Sequence, residues 1–124
     1  MDFQSGQIVC LEHQQDQLYG EVVQMVPERQ ICWVRPLLLA VASSAASLAS
    51  PYADPLEGRT LHDLRQSADL LWPAQLFRPA LDTELLPLLG ALVDPAPSNP
   101  AARQQLQGFV QRIWHAHSGL FAAS

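Results

Sequence analysis

No lysine occurs among the 124 residues, so all seven basic side chains are arginine. That absence excludes Schiff-base chemistry and a phosphate-binding P-loop lysine. Cysteine is nearly missing too. Cys10 and Cys32 are too few for a disulfide framework and lie in apolar, strand-like runs, the setting of buried thiols in a reducing compartment. With only six glycines, the chain carries neither a glycine-rich phosphate loop nor a Gly-x-Ser-x-Gly nucleophile elbow. Charged residues make up 15% of the sequence. The one long uncharged stretch, residues 36–53, is diluted by serine and alanine well below the roughly 20 apolar residues of a membrane span. Residues 1–5 lack the basic-then-apolar pattern of a signal peptide.

What is present is apolar. Hydrophobic residues account for 48% of the chain, which predicts one compact domain rather than disorder. The net charge of −5 and a pI near 5.1 disfavour a duplex nucleic-acid binder, which usually shows a basic stripe.

The first forty residues read as strands. Residues 8–11 and 18–26 are rich in β-branched and aromatic types, with Gly20 marking a bend or bulge. Residues 31–34 form a third run, and residues 37–41 a fourth after Pro36. Pro27 presets the first central position of a tight turn between the second and third runs. The polar residues 12–17 read as a longer hairpin loop. Residues 42–58, with their Ala/Ser repeat and Pro51, Pro55 and Gly58, read as a flexible loop inserted between strands, with a short alanine-rich helix as the alternative. Residues 60–65 and 69–72 supply closing strands, followed by a helical turn over residues 74–77.

Residues 81–93 are leucine-rich and helical, with Asp82 or Thr83 as cap and Pro87 as a kink or a shifted start. Ser98, Asn99 and Pro100 open a last helix. There Ala102, Leu106, Phe109, Val110, Ile113, Trp114 and His117 recur every three or four residues as one apolar stripe, and Gly119 stops it. The stripe is expected on the chain's own sheet, or, alternatively, against a second copy as a homodimer contact. The domain plan is therefore residues 1–80 as a small barrel and residues 81–124 as a helical extension packed on it.

The side chains that could do chemistry are scattered. His115 and His117 point about 200° apart on a helix, and no cysteine has a zinc-type partner, so no metal site or cofactor is expected. His62 and Asp63 would face opposite sides of a strand. Asp63, Asp69, Asp82 and Glu84 could line a cleft, but solvated surface acids are the plainer reading. No catalytic residue emerges, and the chain is read as not an enzyme. Trp33, Trp72 and Trp114 are expected to meet in one core, unless Trp33, beside Arg35, is exposed as an interface anchor, a role for which Trp and Arg are enriched.

The strings Gly6–His13, Leu18–Gln24 and Cys32–Leu37, together with Asp63–Arg65, Asp69–Pro73 and Leu76–Asp82, carry a resemblance. They are similar to conserved cyanobacterial proteins with a small SH3-like β-barrel. The resemblance implies a bacterial, cytoplasmic setting and no defined activity. The expected fold is α+β: a small antiparallel SH3-like barrel followed by one or two C-terminal helices. The expected role is a non-catalytic protein-interaction module, an accessory or assembly factor of a larger complex, with Tyr19, Trp33, Arg35, Arg65 and Arg78 as binding candidates. The alternative is RNA or single-stranded nucleic-acid binding, in which Tyr19, Trp33 and Arg35 would stack on bases; that reading requires Arg29, Arg35, Arg65 and Arg78 to converge on one face.

Overall fold

The computed structural model describes residues 3–42, 59–91 and 100–119. Six antiparallel strands come first: β1 (Ile8–His13), β2 (Asp16–Val26), β3 (Ile31–Ala42), β4 (Arg59–Asp63), β5 (Leu70–Pro73) and β6 (Arg78–Pro79). Helices α1 (Asp82–Ala91) and α2 (Pro100–Ala116) follow, so the fold is α+β with a mainly β N-terminal part. The sheet order is β4-β3-β2-β1-β6, and β5 pairs with the first half of β3 on the edge where β4 pairs with the second.

The sheet is curled but not closed, which corrects the expectation of a complete barrel. Laid flat, β5 and β6 would be about 19 Å apart at ~4.8 Å per strand. The link between them is a 3-10 turn (Ala74–Leu76) plus Phe77. At about 2 Å of rise per residue in the turn it cannot span that distance, so the sheet must roll. Closure stops short because β6 is only two residues long and ends at Pro79, which has no N–H to extend a ladder. The Ala74 N–H donates to the Gln30 carbonyl and the Ala80 N–H to that of Ile8, pinning both ends of the link.

Two irregularities decide which side chains face which way. Tyr19 pairs with Leu38 but Gly20 with Pro36, leaving Leu37 as an extra residue. Val22 pairs with Val34 and Gln24 with Trp33, leaving Val23 extra. Each bulge inverts the alternation beyond it. In β3 the inward set is Cys32 and Val34 before the bulge, and Leu39 and Val41 after it. In β2 it passes from Leu18 and Val22 to Met25. Neither extra carbonyl is orphaned: Leu37 accepts from the Leu64 N–H and Val23 from the Ser5 hydroxyl. β3 is thus one strand running through Pro36 rather than two runs. Gly20 permits the crossing, because a Cβ there would lie 2.4 Å from Val34 Cγ1 and 3.0 Å from the Arg35 carbonyl oxygen.

The hairpin at Pro27 forms as expected, with the Arg29 and Gln30 N–H groups donating to the Val26 and Pro27 carbonyls. The β1–β2 hairpin is tighter than its polar sequence suggests. Pairing continues to His13 and Asp16, and Gln14 takes a φ of 56° in the resulting two-residue loop. Strand pairing here overrides a composition that reads as loop.

Two apolar clusters hold the faces of the sheet. The inner one gathers Val9, Leu11, Leu18, Val22, Cys32, Val34, Leu39, Leu64, Trp72 and Phe77 against Ala102, Phe109 and Ile113 of α2. The outer one gathers Cys10, Tyr19, Leu38 and Ala40 against Leu85 and Leu88 of α1. Of the stripe read from the sequence, Ala102, Phe109 and Ile113 are buried, whereas Trp114 is 44% exposed. Burial of Phe109 and Ile113 shows α2 packing on its own chain. The three tryptophans do not share a core: Trp72 is buried, Trp114 faces outward and Trp33 is partly exposed. The insert at residues 43–58 and the capping residues Ser98 and Asn99 lie outside the described residues.

Candidate functional site

The residues singled out from the sequence fall into three separate settings on the outer side of the sheet. Trp33 and Arg35 belong to the first half of β3, where both side chains point away from the inner core because Cys32 and Val34 point into it. Trp33 pairs across the sheet with Leu71 on one side and Gln24 on the other, and Arg35 pairs with Glu21. Leu71 is 66% exposed. Asp69 joins the two β3 residues: its carboxylate accepts from the indole Nε1 of Trp33 at 2.9 Å and lies 3.9 Å from Arg35 Nε. The indole is therefore held in orientation while the residue remains partly exposed. Among the described residues, neither apolar cluster includes Trp33 or Leu71.

Tyr19 and Arg78 occupy a second setting, at the start of α1. Tyr19 is 1% exposed, so its ring is no surface for stacking a base. Its hydroxyl donates to Glu84 at 2.9 Å. Arg78 donates from both terminal nitrogens to the two oxygens of Glu84, at 2.8 and 2.9 Å, and from Nε to Glu12 at 2.9 Å. Glu84 also accepts the Leu81 N–H at 2.8 Å, and the Leu81 carbonyl receives the first helical bonds from Glu84 and Leu85. Leu81 thus occupies the capping position expected of Asp82 or Thr83. Leucine offers no side-chain acceptor to the first helical amides, and the acid three residues on supplies only the reciprocal half of a capping box by accepting the Leu81 N–H.

The Arg78 guanidinium holds the Glu84 carboxyl down at about 2, with further help from the Leu81 N–H and the Tyr19 hydroxyl. Burial raises Tyr19 above the usual phenol range and pushes the Cys10 thiol up to about 12. Burial alone takes Cys32 to about 11. Neither thiol is prepared to act as a nucleophile at neutral pH.

Arg65 is the third setting. It forks onto Asp63, with Nε and the second terminal nitrogen at 3.0 and 2.8 Å. Asp63, Asp69 and Glu84 each serve a different arginine, so these acids do not line a common cleft. A further ion pair, Arg112 with Asp16 at 2.9 Å, ties α2 to the β1–β2 hairpin. No group of three His, Cys, Asp or Glu side chains able to hold a metal occurs among the described residues. In the described residues, no helix is long and apolar enough to cross a membrane.

No family model, curated protein or solved structure matches this chain. The geometry therefore stands alone. The feature the sequence did not single out is Leu71, whose apolar exposure depends on the β3–β5 register; the unbroken apolar run Leu70-Leu71-Trp72, in which a strand's period of two must turn one residue outward, was its only trace.

Proposed function

We propose that this chain is a non-catalytic protein-interaction module, an accessory or assembly factor acting in the bacterial cytoplasm as part of a larger complex. The observation that carries the reading is the cross-strand pair of Trp33 and Leu71, an oriented indole beside a leucine two-thirds exposed on an open sheet face. Aromatic anchors fixed by hydrogen bonds lose little conformational entropy on binding, and a neighbouring arginine–carboxylate pair gives a polar rim. The rim is supplied by Arg35 and Asp69. Arginine placement favours a protein over a nucleic acid. Arg35, Arg65 and Arg78 lie beside carboxylates of this chain, in three separate places, rather than forming one basic face.

The test uses Leu71→Asp, an exposed change expected to alter stability by no more than about 0.5 kcal/mol. A partner protein purified with the wild-type chain should bind it in isothermal titration, and should lose at least about tenfold in affinity for the variant. Binding that is indifferent to Leu71→Asp and Trp33→Ala would overturn the reading. So would salt-sensitive capture of single-stranded RNA in place of any protein.

A further inference from the structure

We propose that α1 is a strap that opens as a unit, fastened to the sheet through the Glu84 carboxylate, and that its release bares the outer face over Cys10, Tyr19, Leu38 and Ala40 while the inner core stays folded. The proposal stands whether or not Trp33 and Leu71 bind a partner.

Four features of the molecule carry it. The first is length: α1 has ten residues and contains Pro87. A helix that short does not persist by itself in water, so it stays helical only while docked. The second is a thin apolar attachment. Leu85 and Leu88 are buried and Leu89 is partly so, while Leu86 is 63% and Leu81 67% exposed. The third is convergence of the polar attachment on one side chain. The contacts from Arg78, from the Tyr19 hydroxyl and from the Leu81 N–H all end on Glu84. Arg78 and Tyr19 tie α1 to the sheet and the Leu81 contact caps the helix, so losing that carboxylate weakens the docking and the helix start together. The fourth is independence of what lies beneath. Among the described residues the inner cluster has fifteen buried side chains and the outer one six, with no member in common. Every strand of the sheet pairs without α1. Segments with few buried contacts open at lower free energy than the global transition, and α1 meets that description.

The two cysteines report the two faces separately. Cys10 is fully buried in the cluster that α1 completes, and Cys32 in the cluster that α2 completes. Thiol labelling of the full chain by iodoacetamide under native conditions, with the modified cysteine assigned by peptide mass, measures each opening. Once exposed, both thiols should return toward the ordinary cysteine range, so the ratio of rates reads the ratio of openings. Cys10 is expected to react at least about tenfold faster than Cys32. Glu84→Gln is expected to accelerate Cys10 by a further factor of about ten, and Cys32 by no more than the same factor, because the lost contact weakens the closed state against global opening as well. Tyr19→Phe removes one of the contacts on Glu84 and should give a smaller acceleration at Cys10. Equal rates at the two cysteines in the wild-type chain would overturn the proposal, because α1 would then open only with global unfolding. So would a Cys10 rate unchanged by Glu84→Gln. Should Glu84→Gln fail to fold, the wild-type ratio and Tyr19→Phe still decide the question.

Discussion

The two faces of the sheet are covered by different means. The inner face meets α2 through large apolar side chains, with Phe109 and Ile113 fully buried against a continuous aliphatic layer. The outer face meets α1 through two buried leucines and a carboxylate that gathers an arginine, a phenol and a backbone amide. The first attachment is non-directional and grows with buried area, at about 25 cal/mol per Å². The second depends on the geometry and charge state of one residue. Apolar packing therefore fixes the fold, and the polar contact fixes where a short helix sits.

Phe109→Ala tests the inner face and should have the largest effect. The cavity and the lost burial together are expected to cost about 3–5 kcal/mol. Urea unfolding would show this as a large fall in midpoint with one cooperative transition retained. A loss below about 1 kcal/mol would mean that α2 adds little to the core.

Gly20→Ala probes the boundary between the faces. The added methyl meets Val34 and the Arg35 carbonyl at distances no ordinary contact allows, so strand β3 must move where its alternation inverts. A destabilisation of about 1–3 kcal/mol is expected from such overpacking, read from the thermal midpoint. No change would indicate that the bulge adjusts freely and that the assignment of side chains to faces is soft.

Acid titration addresses the outer face and should be the smallest of the three. Glu84 is held at about 2 against an ordinary 4.5, so its contribution is complete above about 4.5 and disappears as pH falls towards 2. Because the partner Arg78 is 40% exposed, solvent screening reduces that contribution to about 1–2 kcal/mol. Glu84→Gln should therefore lower stability at neutral pH and flatten the wild-type decline between pH 4.5 and 2. A parallel decline in both proteins would place the acid sensitivity on other carboxylates.

Much of the architecture was legible in the residues. The β-branched runs, the turn preset by Pro27 and the apolar spacing from Ala102 to Ile113 each specify a local conformation, and each formed where expected. Periodicity failed at two kinds of place. One is the edge of a stripe, where Trp114 keeps the spacing yet turns outward, about 100° round the helix from the fully buried Ile113. The other is the bulged strand. A strict period of two across residues 31–41 cannot put Cys32 and Leu39 on the same face, and only the extra residue Leu37 does so.

The candidate site was half legible for the same reason. Trp33 and Arg35 were identifiable as an aromatic–arginine pair two residues apart, and the structure keeps them on one face. Tyr19 and Arg78 drew notice for the same residue types but serve the anchorage of α1. Their partner Glu84 is 65 residues from Tyr19 in sequence, and no local pattern links them.

By itself the sequence determined the composition of the elements: which segments extend, which coil, where proline and glycine punctuate them, and that carboxylates outnumber the arginines. Those properties follow from short-range sterics and from charge balance, which act within a few residues. The tertiary structure alone decided the sidedness of the strands, the rolled but open sheet, the pairing of Trp33 with Leu71 and the convergence on Glu84. Each depends on contacts between residues distant in the chain, and a single extra residue in a strand inverts every side chain beyond it.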